Sequence, residues 1–182
     1  THKFGVRIPK NIKEALELDQ LNGNDYWEQA IKKEMTNVKV AYNPNEKYTP
    51  QDVRTGKAPE LSLYQEITCH LIFDVKMDFT RKACFVANGA KTEAPASLTY
   101  LSVVSRKSVK LAFLIAALND LDVMSCDIGN AYLNEKIWFK AGMECGVDEG
   151  KVMIILRALY GLKSSGAAWR AYFVDFIENN LG

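Results

Sequence analysis

The chain has 182 residues, 48% hydrophobic and 25% charged, with 23 Lys/Arg against 22 Asp/Glu for a net charge of +1. That length buries one good core with room for a smaller lobe, and the near-zero charge excludes a globally basic nucleic-acid binder. No apolar run reaches the roughly 18 residues of a membrane span, and no apolar h-region follows Thr1-His2-Lys3-Phe4-Gly5, so neither a membrane protein nor a secretory leader is expected.

The first residue is not Met, so the chain reads as an internal piece of a longer product. Cys69, Cys84, Cys126 and Cys145 are widely spaced, with no C-x-x-C pair. This excludes the common zinc signatures and suits reduced, partly buried thiols inside a cell. Charge is unevenly distributed. Between Lys76 and Lys110 the cations are Lys76, Arg81, Lys82, Lys91, Arg106, Lys107 and Lys110, against Asp78 and Glu93. Such a run is a solvated face or a contact for an anionic partner.

In chain order, residues 8–18 read as a helix, with Asn11 and Glu14 spaced as a capping box. Gly23-Asn24 breaks it. Asn24 or Asp25 then starts a second helix with Trp27, Ile31, Met35 and Val38 on one stripe and Trp27 as a core anchor. Residues 41–60, punctuated by Pro44, Pro50, Gly56 and Pro59, read as a long or mobile loop. Residues 66–76 read as one strand and 81–87 as its return strand around the turn 77–80, with cations beside the tip of this hairpin. His70 within it reads as a hydrogen-bonded structural residue.

Ser105 is spaced to cap a helix from Arg106 to about Asp120, whose interior is apolar nearly all round and is expected to be buried. Arg106, Lys107 and Lys110 sit in its first turns. Cations there oppose the helix dipole, so they either point to water or, with the free N–H groups, bind a phosphate.

Residues 122–128 alternate as a strand, with Val123, Ser125 and Asp127 on one face. Gly129 beyond them permits close approach by a ligand or backbone. Residues 137–140 and 151–156 read as strands, the second interior to a sheet, with a Gly-containing loop between them. Ser164 or Ser165 caps a last helix carrying Trp169, Tyr172, Phe173, Phe176 and Ile177 as a buried stripe.

Five of these segments, in order, resemble the reverse transcriptase domain of Ty1/copia-type LTR retrotransposons. Asp25 to Met35 resembles its W-x-x-A-[IM]-x-x-E-[IM] helix, and Arg81 to Gly89 its K-A-R-L-V-A-K-G hairpin. Ser102 to Lys110 resembles S-P-V-x-x-x-x-S-[IV]-R. Asp127-Ile128-Gly129-Asn130-Ala131-Tyr132-Leu133 resembles D-V-x-x-A-[FY]-L, which is motif A. Leu159-Tyr160-Gly161-Leu162-Lys163, with Trp169 beyond, resembles L-Y-G-L-K-Q-x-P-x-x-W, which is motif B. The last two are the most specific.

The resemblance implies an α+β fold, a right-hand polymerase fingers with a partial palm: an antiparallel sheet backed by helices. Residues 1–60 would be N-terminal helices and a linker leading into the fingers. Residues 61–93 and 134–163 would be fingers, and 94–133 and 164–182 partial palm. It implies RNA-directed DNA synthesis, in which a primer 3′-hydroxyl attacks a deoxynucleoside triphosphate on an RNA or DNA template. The cofactor would be Mg²⁺, a hard cation that takes carboxylate oxygens. Asp127 would be the catalytic and metal-binding carboxylate. The backbone of Ile128, Asn130, Ala131 and Tyr132 would line the triphosphate, with the Tyr132 ring excluding a ribose 2′-hydroxyl. Lys82 would reach the triphosphate. Tyr160 and Gly161 would lie beside the nucleotide, and Lys163, Arg106 and Lys110 would contact nucleic acid. The implied partners are template-primer, dNTP and the remainder of a pol polyprotein, with no membrane. The implied setting is intracellular: cytoplasm, virus-like particle or nucleus.

Departures are equally plain. Cys84 and Asn88 replace an Arg and a Lys of the hairpin, Lys110 replaces an Arg, and Ser164-Ser165-Gly166 stands where Q-x-P is usual. The connection after motif A is shortened to Asn134-Glu135-Lys136, and no Y-x-D-D occurs in the 182 residues. The chain by itself is therefore expected to lack polymerase activity and to bind Mg²⁺ weakly or not at all. The alternative is a non-catalytic remnant acting as a nucleic-acid-binding or interaction module. Half a palm leaves sheet edge and apolar helix faces uncovered, so marginal solubility is expected.

Overall fold

Helix α1 begins where the chain can first satisfy a helix N-terminus. A computed structural model describes residues 1–89, 104–124, 136–157, 159–163 and 165–180, excluding the side chains of 165–169, 171, 172 and 180. Pro9 disfavours a helical conformation at Ile8, so the expected start at 8 moves: α1 spans Ile12–Asn22, and Asn11 accepts from the Glu14 N–H at 2.9 Å. The Glu14 carboxylate accepts from the Lys10 N–H instead of closing the box on Asn11. Gly23 ends the helix at φ 63°, and the Asn24 N–H returns to the Asp19 carbonyl. Before α1, strands β1 (His2–Lys3) and β2 (Val6–Arg7) form a small hairpin turned at Phe4-Gly5.

Helix α2 spans Tyr26–Val38, and its own Asp25 makes no side-chain cap. The cap comes from α1. Buried Asp19 accepts from the N–H groups of Trp27 and Glu28 at 3.2 and 2.9 Å. The stripe expected on α2 is in place: Trp27, Ile31 and Val38 are buried, and Met35 packs against them.

The region expected as a loop is mostly built. It forms β3 (Tyr42–Asn45), α3 (Pro50–Arg54) and a 3₁₀ turn, Pro59–Leu61. Thr49 and Asp52 make a reciprocal capping box on α3. Pro44 is tolerated because β3 is an edge strand.

The single strand expected over 66–76 is two. β4 (Gln65–Ile67) and β5 (Cys69–Val75) are separated at Thr68, where the chain changes sheets. β5 pairs antiparallel with β6 (Arg81–Ala87), from Val75 opposite Arg81 to Cys69 opposite Ala87. β7 (Ile137–Lys140) and β8 (Val152–Ile155) complete a mixed four-stranded sheet of order β3-β8-β7-β4, with β8 interior as expected. β4 runs parallel to β7 and the other pairs are antiparallel. A 3₁₀ turn, Met143–Asp148, lies in the loop between β7 and β8. The described chain is therefore α+β.

Strand alternation divides the core. Ile137, Phe139, Met153 and Ile155 face α1, α2 and the β5–β6 hairpin. There Tyr42, Phe85 and Phe139 make an aromatic triangle with centroids 5.4–6.1 Å apart. Trp138 and Val152 face the other way and are covered by Ala58 and Leu61, with Tyr48, Val53 and Tyr64 at the margin. The region 41–60 thus roofs the second face of the sheet.

Two expected burials fail. α4 (Arg106–Leu118) is capped by Ser105 as expected, but only Ala116 is buried among its residues. Phe113 and Leu114 are more than half exposed, because no described element covers this helix on enough sides. In α5 (Ser165–Asn180), Phe176 and Ile177 are exposed; Trp169 and Tyr172 fall outside the described side chains. Residues 121–124 carry no strand, and the rest of the strand expected over 122–128 lies outside the described residues.

Replacing Asp19 by Ala leaves two buried or part-buried N–H groups without their acceptor. Asp19→Ala is expected to lose about 1–3 kcal/mol, read as a lower urea midpoint, with Asp19→Asn losing less. An unchanged midpoint in Asp19→Ala contradicts the cap.

Candidate functional site

The hairpin presents two faces. Ala83, Phe85 and Ala87 point to the core, while Lys82, Cys84 and Val86 share the outer face with His70, Ile72 and Asp74. Lys82 is exposed and lies opposite Asp74. The Asp74 carboxylate accepts from Lys3 Nζ at 2.6 and 2.8 Å, which holds its pKa below the ordinary value. His70 is exposed on this face rather than enclosed in the core.

The outer edge of β6 is occupied at two points. Glu34, from α2, accepts the Phe85 N–H at 2.9 Å. The Tyr160 carbonyl accepts the Ala87 N–H at 2.7 Å, and Tyr160 bridges Val86 in parallel fashion. This contact requires two glycines. A Cβ on Gly89 would stand 2.1 Å from the Gly161 carbonyl oxygen, and one on Gly161 would stand 2.2 Å from the Ala87 oxygen. Gly161 also sits at φ 93°, a region open to glycine. Buried Leu159 and Leu162 anchor the crossing on either side, while Tyr160 stays 68% exposed. The strand thus carries Lys82 near one end and Tyr160-Gly161 near the other, about 13 Å apart at the rise of an extended chain.

Lys163 is exposed just past the crossing, and Arg106 and Lys110 are exposed one turn apart on α4. Asp127, Ile128, Asn130, Ala131 and Tyr132 lie outside the described residues. Of the expected site residues, Lys82 lies on β6, and Tyr160 and Gly161 cross the far end of that strand. Among the described residues no three His, Cys, Asp or Glu side chains converge as a metal cage. They do not by themselves fit a Mg²⁺ site.

From sequence, Glu34 is a motif position with no evident role. Its signal was position: a carboxylate on the same helix as the Trp27 anchor, two turns further along. From sequence, Arg81 is a hairpin cation and no more. Its guanidinium lies 5.7 and 5.6 Å from the ring centroids of Tyr26 and Trp27, tying the hairpin to α2.

A second concavity, of about 300 Å³, opens between α2, β3 and the 143–148 turn, lined by Lys32, Lys39, Tyr42, Glu144, Cys145 and Asp148 among others. Burial pushes the Cys145 thiol up to about 12, helped by the Glu144 carboxylate. Burial raises Tyr42 and Cys69 as well. All three are neutral at pH 7, so neither Cys145 nor Tyr42, which line the cavity, is an activated nucleophile.

The chain is 31% identical over 132 residues to the transposon Ty1-BL Gag-Pol polyprotein of Saccharomyces cerevisiae, a match covering 68% of this chain and 7% of that protein. It is 29% identical over 129 residues to the truncated transposon Ty1-A Gag-Pol polyprotein of the same yeast, covering 68% of this chain and 11% of that protein. This similarity supports a Ty1/copia retrotransposon origin. The chain spans about a tenth or less of the length of these relatives. No protein-family model matches it, and no solved structure matches it.

Two outcomes test this geometry. Gly161→Ala is expected to lower stability by about 1–3 kcal/mol through backbone strain, with the clash at Ala87 added, read as the urea midpoint. A midpoint equal to wild type contradicts the crossing. Cys145, Cys69 and Tyr42 have folded pKa values above their unfolded ones, so the stability they contribute is complete below the unfolded values. It falls as pH rises above about 8.5 for the thiols and about 10 for tyrosine. Urea midpoints should decline over that alkaline window, and less steeply in Cys145→Ser. A flat profile contradicts the assignment.

Proposed function

We propose that the chain is the fingers and partial palm portion of a Ty1/copia-type reverse transcriptase, a nucleotidyltransferase that extends a primer 3′-hydroxyl with dNTP on an RNA or DNA template. The observation that carries this reading is the crossing of Gly161 over Gly89. The hairpin segment and the motif B segment are 70 residues apart at their nearest positions, Gly89 to Leu159 (159 − 89 = 70). Each is motif-like by itself. Their contact through paired glycines is what a shared nucleotide-facing surface requires, because bulkier residues would hold the two backbones apart. The 132-residue similarity to a Gag-Pol polyprotein supports the retrotransposon origin that this reading assumes.

In this proposal Lys82 meets the triphosphate charge, and Tyr160 and Gly161 lie beside the incoming nucleotide. Lys163, Arg106 and Lys110 contact the backbone of template or primer. Point cations suit phosphate, and their attraction falls with salt. Asp127 supplies a carboxylate to Mg²⁺, and Tyr132 excludes the ribose 2′-hydroxyl. A two-ion site needs further carboxylates, which this sequence does not carry as Y-x-D-D. The remainder of the polyprotein is the natural source of them.

Primer extension on an RNA template with a DNA primer, dNTPs and Mg²⁺ tests the reading. No extension is expected from the 182-residue chain. A longer product of the same gene that includes Y-x-D-D is expected to extend, and Asp127→Asn in that product abolishes extension. Mg²⁺-dependent synthesis by the short chain refutes its predicted inactivity; synthesis unaffected by Asp127→Asn refutes the site.

A further inference from the structure

The described residues contain two aromatic side chains at positive φ, and they touch. Phe4 sits at φ 52° and Phe79 at φ 63°, with ring centroids 6.3 Å apart in an edge-on arrangement. Phe4 forms the β1–β2 turn with Gly5 at φ 77°, a place that Asn-Gly fills most readily. Phe79 lies in the turn between β5 and β6, which is closed by Lys76 N–H to the Thr80 carbonyl and Phe79 N–H to the Lys76 carbonyl, both at 3.0 Å. A bulky residue at positive φ is an outlier with a local energetic cost. Neither ring recovers that cost by burial. Phe4 is 50% exposed, Phe79 59% exposed, and the adjacent Met77 86% exposed.

The surroundings are cationic. Lys3 Nζ lies 5.6 Å from the Phe4 ring centroid while bound to Asp74. Lys76 and Lys82 are exposed on the same hairpin. Asp78, exposed in the same turn, accepts from the Thr80 N–H at 3.0 Å. Arg81 donates to the Phe79 carbonyl and stacks on α2, fixing the base of the tip. Four cations, Lys3, Lys76, Arg81 and Lys82, face two carboxylates, Asp74 and Asp78, leaving the tip with two positive charges in excess.

We propose that this tip is a stacking platform for unpaired nucleotide bases, with Phe4 and Phe79 taking base faces and Lys76 taking a flanking phosphate. The inference rests on the nucleic-acid reading given above and adds to it a site and a ligand form. Exposed rings stack on any base with a free face, and cations beside them track the backbone. A blunt duplex offers free base faces only at its ends, so the platform selects single strands. The small β1–β2 hairpin is given a role by this: it carries Phe4 to the tip, and the Lys3–Asp74 pair holds it there.

Fluorescence anisotropy of the full 182-residue chain with a labelled short oligouridine, and with a blunt RNA duplex, tests the platform. Phe4→Ala and Phe79→Ala are each expected to weaken oligouridine binding by about fivefold or more, with little change for the duplex. Phe79→Tyr keeps wild-type affinity, and the far-UV circular dichroism of all three variants matches wild type. Equal oligouridine affinity in both alanine variants overturns the platform while leaving nucleic-acid binding by the chain intact. So does an equal loss on oligouridine and duplex. Binding to phosphatidylserine vesicles that depends on Phe79, without an oligouridine effect, overturns it in favour of a lipid surface. No binding of any nucleic acid by the wild-type chain overturns the platform too, and leaves the polymerase reading to the primer-extension result.

Discussion

The described structure depends on how the outer edge of β6 is satisfied. In a two-stranded hairpin half of the backbone N–H groups on each strand point away from the partner, and a free edge invites foreign pairing. Here Glu34 takes the Phe85 N–H and the Tyr160 carbonyl takes the Ala87 N–H. One contact seats the hairpin on α2. The other draws the 159–163 segment across its end. The Phe85 side chain is fully buried and completes the aromatic triangle with Tyr42 and Phe139, which joins the hairpin to the four-stranded sheet. An edge that would otherwise be a liability organises three separate stretches of chain.

That arrangement explains residues that sequence pattern leaves ambiguous. Gly89 and Gly161 are matched to each other, since a Cβ on either meets the opposing backbone near 2 Å, at 2.1 and 2.2 Å. Leu159 and Leu162 bury themselves so that Tyr160 between them stays exposed. Lys82 keeps its charge on the outer face because strand alternation places Ala83 and Phe85 inward. The replacement of an expected cation by Cys84 falls on that same outer face, so it removes charge from the surface without disturbing the core.

Local periodicity made α2, the β5–β6 hairpin, β7 and β8 legible, because each places its apolar residues at one clear repeat. The break at Thr68 was not legible: strand-like alternation continues through Glu66-Ile67-Thr68-Cys69-His70, and only tertiary pairing divides β4 from β5. Residues 41–60 read as loop because few apolar residues suffice to roof a single indole, that of Trp138. The helix at 106–118 was legible as a helix but not in its exposure; an all-round apolar surface states that a partner is wanted, not that one is in reach. The roles of Glu34 and Asp19 depend on elements that are distant in pattern and adjacent in space. The motif A residues, Asp127 to Tyr132, rest on resemblance alone.

Amide hydrogen exchange at Phe85 and Ala87 tests the central claim most directly, since those two N–H groups are the ones the edge contacts occupy. Both amides are predicted to be protected to the same degree as the cross-strand amides of β6, although neither points at β5. Exchange of either one at the rate of an unprotected edge amide would contradict the account.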